Sequence, residues 1–174
     1  MPSAHIFRRI AHRPENLLNM VADVARYPDF IPLISATRIQ NLKEVTPAHR
    51  QFEADAVVRY KLLSETFRSI VNVQTDISRI EVKKPNRAGA VKSLSNSWEF
   101  HALGDGSTLV EFKVTVSLQN FVLNRLVREK FDKASGYIMG LFEARADTLF
   151  EGVKLETLDM QAEYARLGLS QHVA

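Results

Sequence analysis

At 174 residues, with 45% hydrophobic and 25% charged residues, the chain has the size and make-up of one globular domain that buries its own core. The absence of cysteine excludes a disulfide framework, a thiolate zinc site and a thiol nucleophile. The net charge of +3 is unevenly spread: residues 151–174 hold Lys154 and Arg166 against Glu151, Glu156, Asp159 and Glu163, so the excess of positive charge lies in the first 150 residues. Such a field favours an anionic membrane or RNA without demanding either. No apolar run approaches the roughly 20 residues of a membrane span, and "MPSAHIFRRI" lacks the basic-then-apolar layout of a signal peptide, so a cytoplasmic protein is expected.

In chain order, "AHIFRRI" reads as a first strand. "RPENLLNMVADV" reads as a helix, with Pro14 at the first helical position and Leu17, Met20, Val21 and Val24 in a stripe. Arg13 offers no acceptor oxygen as an N-cap, so this helix should lean on packing. Then comes "DVARYPDFIPLIS", residues 23–35, with two prolines but also Tyr27, Phe30, Ile31, Leu33 and Ile34. Connections are normally polar surface segments, so this oily one needs an apolar neighbour.

Strict alternation follows residue 50. Phe52, Ala54, Ala56, Val58 and Tyr60 share one face; Phe67, Ser69, Val71 and Val73 repeat the pattern, and Ile80 with Val82 extends it. Leu94, Asn96, Trp98, Phe100 and Ala102 point inward while Ser95, Ser97, Glu99 and His101 face out. After the hairpin turn "LGDGST", Val110, Phe112, Val114, Val116 and Leu118 point inward again. Consecutive strands with one wet face mean an antiparallel meander. From Phe121 the period becomes helical for about 30 residues, with Leu123, Val127, Phe131, Ala134, Ile138, Phe142 and Leu149 in one stripe and Gly152 as the stop. The remaining tail, 151–174, is expected as a loose helix or frayed end. The fold class is therefore α+β: a curved antiparallel sheet wrapped around a long C-terminal helix, with an apolar cavity between them.

"VADVARYPDFIPLISATRI", "SLSNSWEF" and "IMGLFEARADTLF", in that order, resemble the coenzyme Q-binding START-domain proteins of the polyketide-cyclase-like, helix-grip superfamily. The resemblance covers about residues 3–150, a single START-like (Bet v 1-like) lipid-binding domain. It implies a deep hydrophobic tunnel, ubiquinone as bound ligand with no required cofactor, and a place in respiration, peripheral to the inner face of a respiratory membrane. One branch of similar bacterial proteins is described as a toxin that blocks ribosome subunit association, which makes the large ribosomal subunit the alternative partner. Where relatives usually carry Pro-Trp, this chain has Pro32-Leu33; where they often carry Gly-Pro-Phe, it has Gly89-Ala90-Val91.

In such a fold the 23–35 segment is either a lid over the cavity or a plug at the end of the core. The candidate ligand-binding residues are Tyr27, Phe30, Ile31 and Leu33 from that segment. The sheet adds Val58, Tyr60, Phe67, Val71, Asn96, Trp98, Phe112 and Val114, and the long helix Phe131, Ile138 and Phe142. Asn96 and Arg145 are the candidate polar anchors; Asn96 could equally be a core amide, and Arg145 a snorkelling residue with its stem on the core. Lys83, Lys84, Arg87 and Lys92 around the Pro/Gly loop are candidates for anionic headgroups or RNA phosphates, as well as for plain solvation. The inward faces hold only Ser69, Asn96 and Tyr60 as polar groups, none of them a general base near neutral pH, so no enzyme and no catalytic residue is expected. His5, His12, His49, His101 and His172 show no metal-ligand spacing, and no metal site or DNA partner is expected.

Overall fold

The computed structural model of the chain describes residues 1–60, 63–84, 89 and 91–169, with the side chains of Tyr60, Leu63, Leu123 and Leu126 left aside. The elements are β1 (Ser3–Ile10), α1 (Pro14–Ala22), a 3-10 turn (Val24–Asp29), β2 (Ile34–Thr46), β3 (His49–Tyr60), β4 (Leu63–Gln74), β5 (Arg79–Lys84), β6 (Val91–Ala102), β7 (Thr108–Leu118), α2 (Phe121–Leu149) and α3 (Met160–Arg166). The strands form one antiparallel sheet in the order β1-β7-β6-β5-β4-β3-β2, a meander whose last strand pairs back with the first. This is the helix-grip architecture expected from the alternation pattern.

α1 starts at Pro14 with no side-chain cap from Arg13, and Leu17, Leu18, Met20, Val21 and Ala22 are all buried, so packing does hold it. α2 runs 29 residues, about 44 Å. Its first turn is capped by Asn120, whose side chain accepts from the Val122 N–H at 2.8 Å. The buried stripe on α2 differs in phase from the expected one. Ser135, Met139, Phe142 and Ala146 face the core, whereas Ala134 and Leu149 are exposed. The helix packs most closely on β1 and β7, and Phe142 reaches Trp98 of β6.

β2 does not show the alternation of its neighbours, and for a physical reason. It is a sheet edge, largely exposed on both faces, with register shifts at Ile34/Ala36, Gln40/Lys43 and Glu44/Thr46. An edge strand with bulges has little apolar face to betray it. The segment after α2 is tied down: the Val153 N–H donates to Ala11 O at 2.8 Å, and Tyr164 of α3 packs edge-on against Phe7 of β1. Gly152 allows this crossing, since a Cβ there would stand 3.2 Å from Ala11 O.

Candidate functional site

Between the concave sheet and α2 lies a cavity of about 300 Å³. The 23–35 segment supplies Tyr27, Ile31 and Leu33, with Val24 and Ile34 beside them. β3 and β4 supply Ala54, Ala56, Val58, Phe67, Ser69 and Val71 through strand alternation. β5, β6 and β7 add Val82, Leu94, Asn96, Trp98 and Phe112, and α2 closes the space with Ile138 and Phe142. Val24, Ile34, Ala54, Ala56, Ser69, Val82 and Leu94 were not among the candidates, although the strand members share the inward parity of those that were.

Four candidates stand elsewhere. Val114 is buried beneath α2 in the packed core rather than on the cavity. Phe131 is half-buried against that core, two helical turns before Ile138. Phe30 packs edge-on against Tyr27 and Phe142 at centroid distances of 5.8 and 5.2 Å, behind the wall rather than in it. Arg145 does not reach the cavity: its guanidinium lies 5.3 Å from the Phe30 ring centroid and 3.7 Å from Asp29, clamping the 3-10 turn from outside. The Tyr60 side chain lies outside the described residues.

The basic group also divides. Lys83 and Lys92 are exposed, and Arg87 lies outside the described residues. Lys84, however, is only 7% exposed and turns to the inner face. The reason is parity: Ile80, Val82 and Lys84 alternate to one side of β5, and Lys84 is the register partner of the cavity residue Leu94.

The polar inventory of the cavity wall is short. Tyr27 donates its hydroxyl to Val21 O at 2.5 Å, and burial, followed by the nearby Asp23 charge, pushes its phenol pKa far up. It is a fixed hydrogen-bond donor and no proton donor at neutral pH. Ser69 is the second polar group, and Asn96 the third, with its Oδ1 buried and lacking any hydrogen-bond partner. Among the described residues no carboxylate or imidazole belongs to this wall.

Titratable groups gather instead on the outer face of the sheet. Glu111 of β7, 4% exposed, accepts from His5 Nε2 and His101 Nε2 at 2.9 Å each, and Lys113 Nζ stands 3.2 Å away. Burial works against its ionisation, but the His101, His5 and Lys113 contacts outweigh it and lower its pKa to about 2. Glu99, the register partner of Glu111, is bonded by Arg79 at 2.9 Å. Glu99, His101 and Glu111 bring ligand atoms within 4.8 Å of one another. The three strands that assemble this cluster are β1, β6 and β7, so spacing along the chain gave no sign of it.

A model of the family described as "Polyketide cyclase / dehydrase and lipid transport" matches residues 10–137. The chain belongs to this polyketide cyclase/dehydrase and lipid transport family. The family takes hydrophobic ligands, and its description spans both enzymes and carriers. An 18 kDa protein of Caulobacter crescentus is similar in structure at 31% identity and a TM-score of 0.70, over 86% of this chain and 98% of that one. A START superfamily protein from Mycobacterium smegmatis shares the fold at 17% identity and a TM-score of 0.72, over 85% and 99% of the two chains. A curated relative, the ribosome association toxin RatA of Pseudomonas aeruginosa, is 28% identical over 150 residues, 85% of this chain and 99% of its own. Among the described residues no helix is long and apolar enough to cross a membrane.

Proposed function

We propose that the protein is a non-catalytic carrier of an isoprenoid lipid, with ubiquinone the first candidate cargo. The observation that carries this reading is the cavity wall itself, apolar but for Tyr27, Ser69 and Asn96. The aromatic rings of Trp98, Phe112 and Phe142 form one side, a surface suited to a planar head group, and the aliphatic side chains of β3 and β4 suit a prenyl tail. At roughly 25 cal/mol per Å² of apolar burial, several hundred Å² of lipid surface can compete with a membrane for the same molecule. An enzyme of the cyclase kind would need an acid or base in contact with its substrate, and the described residues of this wall offer neither.

Loading from a bilayer is supported by the first turns of α2. Phe121 and Val122 are 82% and 61% exposed there, and the exposed Arg125, Arg128, Lys130 and Lys133 follow. Apolar tips ahead of basic residues suit transient contact with an anionic leaflet, at roughly 1 kcal/mol per cation near the surface.

Native mass spectrometry with organic extraction, on protein purified without detergent from a quinone-producing host, tests the reading. Stoichiometric isoprenoid quinone is the expected result. Protein that arrives empty and refuses added quinone would overturn it. The RatA relative favours a second reading, in which the basic surface meets the large ribosomal subunit. Its test is co-sedimentation with large subunits at physiological salt, since purely phosphate-driven binding is lost as salt rises.

A further inference from the structure

Among the described residues, Lys84 and Asn96 carry polar atoms on the inner sheet side that a purely apolar cargo leaves unexplained. The Lys84 side chain is more than nine-tenths buried, and its Nζ has no hydrogen-bond partner. The Phe67 ring, which lines the cavity, lies 5.9 Å from that Nζ and offers its π-face. On β6 the register partner of Lys84 is Leu94; on β4 the ladder to β5 begins at Ile70, opposite Lys83, and Ser69 precedes it. Leu94 and Ser69 both line the cavity. Two residues further along β6, on the same face, Asn96 presents its buried and unpartnered Oδ1.

A cation removed from water without an anion is costly, and a buried carbonyl oxygen without a donor adds to that cost. Asn96 in the wall and Lys84 at its edge, where the cavity meets a neighbouring pocket across Leu94, stand diagonal to each other on adjacent strands and describe the complement of a head group. Lys84 calls for an anionic oxygen, and Asn96 Oδ1 for a hydroxyl donor nearby. A neutral quinone supplies acceptors for Lys84 but no hydrogen for Asn96 and no charge.

We infer that the cavity selects lipids with a carboxylate head, held by Lys84, over neutral lipids of the same length, Asn96 Oδ1 accepting from a hydroxyl where the head carries one. This rests on the lipid-carrier reading and specifies the cargo within it. The shared chemistry is a carboxylate on a long apolar tail; an aliphatic fatty acid and a prenylated hydroxybenzoate are its two sources.

The test measures binding of four probes by intrinsic tryptophan quenching or calorimetry: oleate, methyl oleate, a prenylated 4-hydroxybenzoate and its methyl ester. A charge-assisted bond makes each acid bind about ten- to a hundredfold tighter than its ester. Tighter binding of the aromatic pair assigns the head as a hydroxybenzoate, and equal binding assigns the carboxylate alone. Lys84→Met should keep ester binding and lose the preference for the acid. That variant replaces an unpaired buried charge by an apolar side chain of similar length, so it should fold and melt no lower than the parent. Equal binding of acid and ester by the parent would overturn the inference while leaving the carrier reading intact. Refusal of all four probes and of quinone would overturn both.

Discussion

The ring of Phe30 stands edge-on to that of Phe142, with centroids 5.2 Å apart and planes at 81°. Tyr27 meets Phe142 in the same way at 5.3 Å, and Trp98 approaches it at 4.9 Å. A single α2 side chain thus ties the 23–35 segment to the helix and to β6. Phe142 is 3% exposed and also forms part of the cavity wall, so Phe142→Ala removes packing from three elements. The expected loss is about 3–5 kcal/mol, read as a shifted midpoint in urea.

Leu33 separates cavity function from stability where Phe30 does not. It lines the cavity yet is only half-buried, next to the exposed Pro32. Leu33→Asp is expected to cost roughly 1 kcal/mol of stability or less, while placing a carboxylate against the lipid and reducing loading by an order of magnitude or more. Extraction and mass spectrometry of the purified variant measure the loading. Normal loading would mean that this segment plugs the core and does not touch cargo.

Phe121 tests the route from the membrane. At 82% exposure it has little to lose in the fold, so Phe121→Glu should leave the melting temperature within a degree or two. Flotation with vesicles of anionic lipid should show weaker association, and uptake of quinone from those vesicles should slow with it. Unchanged flotation would place the membrane contact elsewhere on the surface.

The meander from β3 to β7 and the long helix were legible because each buries one face against the core, and burial imposes a period of 2 or 3.6 on the sequence. Most of the cavity wall was legible for the same reason: Val58, Phe67, Val71, Asn96, Trp98 and Phe112 share the inward parity. β2 was not, since an edge exposed on both faces carries no such constraint. Lys84 was misread because its position in a basic run outweighed its parity, although it continues the row of Ile80 and Val82. The phase of the α2 stripe was also missed. Ser135 and Ala146 are buried but small, and small residues do not mark an apolar stripe as large side chains do. The Glu111 cluster joins residues 106 positions apart, a distance at which a single sequence is silent.

The segment after α2 belongs to the folded unit through polar contacts. Arg9 Nη2 donates to Asp105 Oδ2 at 2.5 Å and to Glu156 O at 2.8 Å, the Glu156 N–H donates to the same carboxylate at 3.0 Å, and Arg166 Nη2 donates to Ala102 O at 2.9 Å. Truncation after residue 150 takes the Glu156 N–H from Asp105, the Glu156 carbonyl from Arg9, the Arg166 guanidinium from Ala102 and the Val153 N–H from Ala11, while Arg9 stays on Asp105. The expected loss is roughly 2–4 kcal/mol, or about 5–15 °C in Tm by calorimetry. Because this segment lies away from the cavity wall, the truncated chain should still take up lipid below its melting point. Lipid binding lost in step with truncation, at full stability, would contradict that separation.

Acid should unfold the protein partly through Glu111. Its folded carboxyl ionises near 2 instead of the ordinary 4.5, because His101, His5 and Lys113 favour the charged form more than burial opposes it. The groups around it are His5 on β1, His101 and Glu99 on β6, Lys113 on β7 and Tyr164 of α3, whose phenol is pushed up by burial and then by the Glu111 charge itself. A depressed folded pKa contributes stability that is complete above about 4.5 and is lost as the pH falls toward 2. With solvent screening of its partners, the contribution is on the order of 1–3 kcal/mol at neutral pH. Glu111→Gln keeps the shape but removes the charge, so its unfolding free energy should be lower at pH 7 and should fall less steeply between pH 4.5 and 2. Urea titrations across that range compare the two slopes. Equal slopes would mean that the acid sensitivity lies in other carboxylates, of which Asp105, held low by Ser107, Glu156 and Arg9 against its burial, is the next to replace.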